Sequence, residues 1–240
     1  MTTKNRIKAA IAEGRGVRGL HLTFPQPAII EVLANVGIDY VYLDGEHGAF
    51  EGRDIDVACI TAERHGITAI ARIPDPSPST ICHFLDRGIK GVVVPHVDSL
   101  DDAKKVIDGA YFGPIGNRSF GGGRPTFTEG IGITNLEAHM AQCNEDMCVS
   151  IMIETVGALE AAGDIAALQG VDYMSFGLMD LAQSLGHPGN PRHPEVVEAV
   201  AKASRCIRAA GKPVREDFIA VGWINDLIVR GARQFFDAKA

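Results

Sequence analysis

Along the chain, short apolar runs alternate with longer segments in which apolar positions recur every three or four residues, the pattern of buried strands separated by helices. Eight strands are expected, at 17–23, 40–44, 68–73, 91–97, 148–154, 173–178, 212–216 and 232–237. A first helix is expected over 3–13, with others at 28–36, 52–65, 77–87, 100–110, 156–169, 193–210 and 218–230. Most end near a glycine (Gly37, Gly66, Gly88, Gly109, Gly170, Gly211 or Gly231), as left-handed helix termini favour. Sustained strand–helix alternation predicts parallel strands joined by right-handed crossovers. Eight such units predict an α/β fold closed as a TIM (β/α)8 barrel, and 240 residues suit a single barrel domain spanning 1–240.

One segment breaks the rhythm. Residues 111–129 carry Gly113, Gly116, Gly121, Gly122 and Gly123 with Pro114 and Pro125, followed by an extra helical stretch to about Asn144. A connection this long in a compact domain usually serves function or assembly. The chain stops three residues after its last expected strand, so no final crossover helix is expected. That end of the barrel is then open or covered by another subunit.

Composition narrows the function classes. A net charge of −7 without an offsetting lysine/arginine stripe argues against a nucleic-acid surface. Cys59, Cys82, Cys143, Cys148 and Cys206 are odd in number and lack metal-type spacing, which reads as reduced thiols in a cytoplasmic protein. No signal-type segment opens the chain and no long uncharged apolar stretch interrupts it, so no membrane partner is expected.

The candidate chemistry sits where apolar runs stop. Tyr-Val-Tyr-Leu-Asp-Gly-Glu-His at 40–47, Ala-Arg-Ile-Pro at 71–74, Ile-Met-Ile-Glu at 151–154 and Phe-Gly-Leu-Met-Asp at 176–180 each end in charged or imidazole groups. In a parallel barrel such ends converge on the catalytic face. Glu154 and Asp180, each closing an apolar strand, can hold a divalent cation and leave room for substrate oxygens; alternatively Glu154 caps the next helix and Asp180 starts the segment before Ser184. His47 follows Asp44 at a spacing that suits a turn in which the carboxylate orients the imidazole, or it is a solvated surface histidine. Arg72 offers a forked donor for a carbonyl or carboxylate, or a salt bridge to Asp44 or Glu46. His21 and His96 lie at strand ends and could line the pocket, while His187 and His193 fall in a Pro/Gly-rich loop; structural roles are the simpler reading for all four. Gly14, Gly16 and Gly19 satisfy GxGxxG but precede the first strand, which excludes a dinucleotide fingerprint, and no P-loop, HExxH, GxSxG or EF-hand pattern occurs.

These residues resemble the HpcH/HpaI family of metal-dependent, class II pyruvate aldolases, within the phosphoenolpyruvate/pyruvate superfamily of barrels. The resemblance runs from about Gly19 to Asp237 and rests on residues 37–47, 71–74, 93–98, 153–155 and 177–186, in the family's order and approximate spacing. It implies that Glu154 and Asp180 are the metal ligands, for Mg, Mn or Co. It further implies that Arg72 contacts the pyruvate keto oxygen and that His47 is the acid/base, acting through metal-bound water and oriented by Asp44. The substrate carboxylate would meet the backbone around Gly177, Met179 and Asp180, and residues 116–119 resemble the family's Gly-x-Arg segment near the site entrance. The implied activity joins or cleaves a 2-oxoacid and an aldehyde in a homo-oligomer. An oxaloacetate-using condensing or decarboxylating enzyme and a noncatalytic 2-oxoacid-binding barrel are the alternatives. No lysine stands in the matched positions, which disfavours a Schiff base. Met152 stands where many relatives have glutamine, and His21 where tryptophan is usual.

Overall fold

The structure, a computed structural model, describes residues 4–128 and 134–238. Seven parallel strands form one sheet: β1 (Val17–Leu22), β2 (Tyr40–Asp44), β3 (Thr68–Arg72), β4 (Gly91–Val94), β5 (Cys148–Ile153), β6 (Tyr173–Phe176) and β7 (Ile219–Trp223), in the spatial order β6-β5-β4-β3-β2-β1-β7. The helices are α1 (Arg6–Glu13), α2 (Pro27–Ala34), α3 (Gly52–Arg64), α4 (Pro78–Leu85), α5 (Leu100–Ala110), α6 (Arg124–Thr128), α7 (Leu136–Asp146), α8 (Val156–Ala166), α9 (Leu178–Ser184), α10 (Pro194–Ala209) and α11 (Ile224–Asp237). No helix is long and apolar enough to cross a membrane among the described residues.

Successive strand residues point to opposite faces, and the core divides accordingly. Val41 and Leu43 face the helices in one large cluster, whereas Tyr40 joins Val17, Ile70, Val93, Met152 and Tyr173 in a second, inner cluster. Helix α1 seals the inner cluster from below with Ile7 and Ala10. Asn5 anchors it there by accepting from the Ile7 and Lys8 N–H groups while donating to the Lys90 and Asp146 carbonyls. Gly19 belongs to this layer: a Cβ there would run into the Tyr40 ring. Its place is a packing requirement, and it lies within β1, whereas the Gly14–Gly19 run was expected to precede the first strand.

Inward residues of both edge strands, Tyr173 on β6 and Val221 on β7, line one cavity, so the sheet curls round on itself. The expected eight-stranded barrel is corrected at this seam. Residues 212–216 form only an isolated bridge, Met174 to Val214, followed by a 3-10 turn over Arg215–Asp217. Too little chain separates α10 from β7 for another full strand and crossover helix, since a parallel crossover needs a dozen or more residues.

The last two expected elements are exchanged. Residues 219–223 pair in register with β1, Val17 against Ile219 through His21 against Trp223, where a helix was expected. Residues 232–237 are helical instead of extended, within α11, so the chain does have a final helix. The run Ile-Ala-Val-Gly-Trp is short, apolar and β-branched, and a short apolar run does not distinguish strand from helix until its neighbour is known. Of the glycines expected to end helices, Gly37, Gly66, Gly88, Gly170 and Gly211 adopt the left-handed conformation, but Gly109 and Gly231 lie inside α5 and α11.

Candidate active site

The turn after β2 organises the site. Asp44 and Arg72 are paired residues of neighbouring strands, and the guanidinium grips the carboxylate with one edge: Nη2 donates to Oδ2 at 2.6 Å and Nε to Oδ1 at 3.1 Å. The Gly45 N–H donates to the Arg72 carbonyl, and a Cβ at Gly45 would stand 2.7 Å from that oxygen and from the Phe84 ring. Only glycine lets the chain turn this closely over β3. The Gly48 N–H closes the turn on the Asp44 carbonyl, and the His47 N–H donates to Asp44 Oδ1 at 3.0 Å.

Asp44 therefore holds the backbone of His47 and not its ring. The His47 imidazole is 67% exposed, with Nε2 3.9 Å from Glu46 Oε2. The imidazole that Asp44 does hold belongs to His21, whose Nε2 lies 3.1 Å from Oδ2. Burial alone raises the Asp44 carboxyl, but hydrogen bonds from His21, Arg72 and the His47 N–H, with the Arg72 charge, outweigh it and hold the group well below the usual carboxylate range.

Glu46 extends the network across the strand ends. Its Oε2 lies 3.2 Å from Arg72 Nη1 and its Oε1 lies 2.9 Å from His96 Nε2. His96 follows β4 with φ at 57°, a left-handed conformation rare outside glycine and often found at functional sites. That backbone aims the His96 N–H at Glu154 Oε1, 2.6 Å away. Asp44, Arg72, Glu46, His96 and Glu154 thus form a continuous polar chain over the ends of β2 to β5. Sequence reasoning admitted Glu46 only as a partner for Arg72; the signal for more lay in its place between Asp44 and His47.

Glu154 follows β5 and is 4% exposed. The alternative that it caps the next helix is excluded, because Thr155 accepts from the Ala158 N–H and caps α8 itself. Asp180 was expected at a strand end but lies exposed in the first turn of α9. Gly177, the residue before α9, leaves space beside Glu154: a Cβ there would stand 2.7 Å from Oε2 and 3.1 Å from Met152 Sδ.

A divalent cation fits this donor set. Burial raises the Glu154 carboxyl above its ordinary value, the His96 N–H and ring oppose that shift, and the Glu46 and Asp180 carboxylates add to it. Arg72 is already engaged by Asp44 and Glu46, and Glu154 Oε1 lies 3.3 Å from His96 Nδ1. Hard oxygen donors in a partly buried cleft suit such an ion.

A cavity of about 400 Å³ joins these groups to the interior of the sheet, with His47 and Asp180 at its mouth and Tyr42, Arg215 and Trp223 among its walls. Arg215, Tyr42 and Trp223 were not anticipated as pocket residues; Trp223 was hidden in an expected helix. The histidines of the Pro/Gly-rich loop lie elsewhere. His187 Nε2 pairs with Glu195 Oε2 at 2.8 Å, and the His187 and His193 rings stack at 3.5 Å with planes 16° apart. Rings face to face at that distance cannot both direct a lone pair at one ion, and His193 caps α10 by accepting from the Glu195 N–H.

The segment 116–119, expected near the entrance, lies at the other end of this chain's sheet. The Arg118 N–H donates to Tyr111, which packs where β5 and β6 begin, and its guanidinium pairs with Asp86 at the C-terminus of α4. Glu129, at the end of that long connection, lies outside the described residues.

The chain as a whole is similar to known aldolases. The chain is 36% identical over 210 residues to the 4-hydroxy-2-oxovalerate aldolase of Rhodococcus jostii, a match covering 87% of this chain and 79% of that protein. It is 31% identical over 212 residues to the hydroxypyruvate/pyruvate aldolase of Cupriavidus necator, covering 88% and 78%. Among solved structures, an HpcH/HpaI aldolase/citrate lyase family protein from Burkholderia cenocepacia superposes with a TM-score of 0.87 at 26% identity, covering 98% of each chain. The citrate synthase SbnG superposes at 0.84 with 27% identity, covering 99% of this chain and 98% of that one. The family profile itself matches residues 18–229, from the first strand into the final helix, and the chain belongs to the HpcH/HpaI aldolase/citrate lyase family.

Proposed function

We propose that this protein is a metal-dependent carbon–carbon lyase that forms or cleaves the bond between pyruvate, or a close 2-oxoacid, and an aldehyde. The observation that carries the reading is the polar chain that runs from the Arg72 fork, fixed by Asp44 and Glu46, through His96 to the buried Glu154, whose carboxyl feels the charge of Asp180. Glu154 and Asp180 would hold the ion, Mg, Mn or Co, which when bound supplies positive charge for an enolate oxygen. Arg72 has five N–H donors, of which three groups of contacts engage Nε, Nη1 and Nη2; its remaining hydrogens are free to meet the 2-oxo oxygen. The substrate carboxylate would sit at the start of α9, around Gly177, Met179 and Asp180, where first-turn N–H groups lack helical partners. His47, exposed at the mouth, would be the acid/base, exchanging a proton through bound water with the oxygen of the aldehyde acceptor.

The likeness to SbnG favours a second reading, condensation or decarboxylation with oxaloacetate as the 2-oxoacid. Both readings pass through an enolate. Incubating the protein with pyruvate in deuterated water and each ion in turn should replace the methyl protons, followed by NMR. No exchange with any ion overturns the enolate reading; addition of aldehydes, or of oxaloacetate, then separates the two activities.

Homo-oligomerisation is part of the proposal. In α11 only Ile224 is buried, while Leu227, Ile228, Val229, Phe235 and Phe236 are exposed. So much apolar surface on one helix is the mark of an interaction face.

A further inference from the structure

The proposed enolate needs a base at C3 of the 2-oxoacid, and the structure contains an imidazole better prepared for that work than His47. His21 is 6% exposed and lines the cavity shared by Arg72 and Asp180. Its ring stacks on Trp223 at 3.9 Å and leans on Tyr42 at 4.5 Å, so its orientation is set by packing. Asp44 Oδ2 receives both Arg72 Nη2 and His21 Nε2, which places the imidazole one carboxylate oxygen from the guanidinium proposed to hold the 2-oxo group.

Asp44 is ionised and can only accept, so the shared hydrogen belongs to His21 Nε2. In the neutral ring Nδ1 then carries the lone pair, and it has no hydrogen-bond partner among the described residues. A carboxylate that fixes the tautomer of an imidazole and steadies its protonated form is the general arrangement of an Asp–His base. We propose that His21, held by Asp44 and stacked on Trp223, is a proton-transfer residue of the site, acting on C3 of the bound 2-oxoacid.

The step balances without any further reactant. Nδ1 takes a proton from C3, the C–H electron pair becomes the C2–C3 double bond, and the former carbonyl pair moves to the oxygen facing Arg72. Protonation of C3 by Nδ1–H runs the step backwards. The groups around His21 suit a neutral resting ring: burial lowers its pKa, Asp44 opposes that shift, and Arg72 and Arg215 reinforce it; Tyr42 and Trp223 supply the remaining walls. His47, in contrast, has no carboxylate oxygen within hydrogen-bond reach of its ring among the described residues, Glu46 Oε2 lying 3.9 Å away.

The inference rests on the enolate reading, and the test separates the two. His21→Gln keeps an amide donor near the position of Nε2 but has no base. Oxaloacetate decarboxylation generates the enolate by breaking C3–C4, with no C–H proton to remove, whereas pyruvate exchange in deuterated water requires that removal. His21→Gln should bind metal as the parent does and lose pyruvate exchange by about 10²–10⁴-fold, the usual worth of a positioned base, a far larger fall than in single-turnover carbon dioxide release from oxaloacetate, which precedes protonation of C3. In the metal-free parent, nitrogen-15 imidazole spectra at neutral pH should show His21 neutral with the proton on Nε2. Parent-like exchange in His21→Gln, an equal fall of exchange and single-turnover carbon dioxide release, or an Nδ1–H tautomer would each overturn the role given to His21. A parent protein that exchanges no pyruvate protons with any ion would instead remove the enolate reading, and the role of His21 with it.

Discussion

Arg72 makes contacts that depend on the shape of its guanidinium. Two parallel bonds to Asp44 and a third contact to Glu46 leave the fork rigid, and a lysine ammonium can match the charge but not the fork. Arg72→Lys should therefore lose most turnover while retaining bound metal, and near-parent turnover would take Arg72 out of the site. His47 is exposed, tied to the site only by its backbone N–H, and set at the mouth. His47→Ala should lower aldol cleavage by about 10²–10⁴-fold with metal content unchanged; loss of the metal would assign it a structural part instead. Asp44 has a stability role as well. Its folded pKa lies below its unfolded value of 3.8, so its contribution is complete above that value and disappears as pH falls towards the folded one. Acid unfolding of the parent should steepen below about pH 4, and Asp44→Asn should be less stable at neutral pH with a shallower acid limb. Equal slopes for the two proteins would exclude this linkage.

At the scale of elements, strand ends and helix starts divide the labour. The strands deliver Asp44 and Arg72 in register, while the first turn of α9 delivers Asp180 and Thr155 caps α8 so that Glu154 is free for the site. Gly177 connects β6 to α9 at the place where a Cβ would press on Glu154 and Met152. Gly177→Ala should weaken metal binding, measured by titration calorimetry, with little change in the thermal transition of the metal-free protein. Unaltered affinity would show that Glu154 has room to yield. The positions of β1 to β6 were legible because each strand is apolar, short and followed by a helix of clear period. The exchange of strand and helix near the end was not legible, because Ile219–Trp223 becomes a strand only through the partner that β1 offers.

Across the whole molecule, the open seam and the final helix depart furthest from the expected barrel. The single bridge at Val214 leaves β6 and β7 unjoined, and Arg215 faces the cavity at that seam. Helix α11 leaves the last strand with its apolar residues uncovered, and burying a side chain such as Phe contributes about 1.5–3 kcal/mol when a partner surface receives it. Replacing Phe235 and Phe236 together by serine should shift the protein to a smaller species in light scattering coupled to gel filtration. A parent that is already monomeric at micromolar concentration would exclude this face as a self-association surface.

Sequence by itself determined the parallel α/β plan and the family, because strand period, helix period and the residues that interrupt them are local properties of the chain. It also singled out Asp44, His47, Arg72, Glu154 and Asp180 as candidates, each beside a run that had to be buried. Tertiary structure decided which of them touch. Asp44 meets His21 and Arg72, and holds His47 only by its backbone, because residues 23 and 28 positions away in the chain are neighbours across the sheet. Glu46 and His96 enter the site for the same reason, and Trp223 reaches His21 only because β7 pairs with β1. The segment 116–119 is carried to the opposite end by the direction of α5, which its composition does not encode. Hydrophobic pattern specifies what must be buried; contacts between distant residues depend on the register and closure of the sheet, which arise only when all the strands assemble.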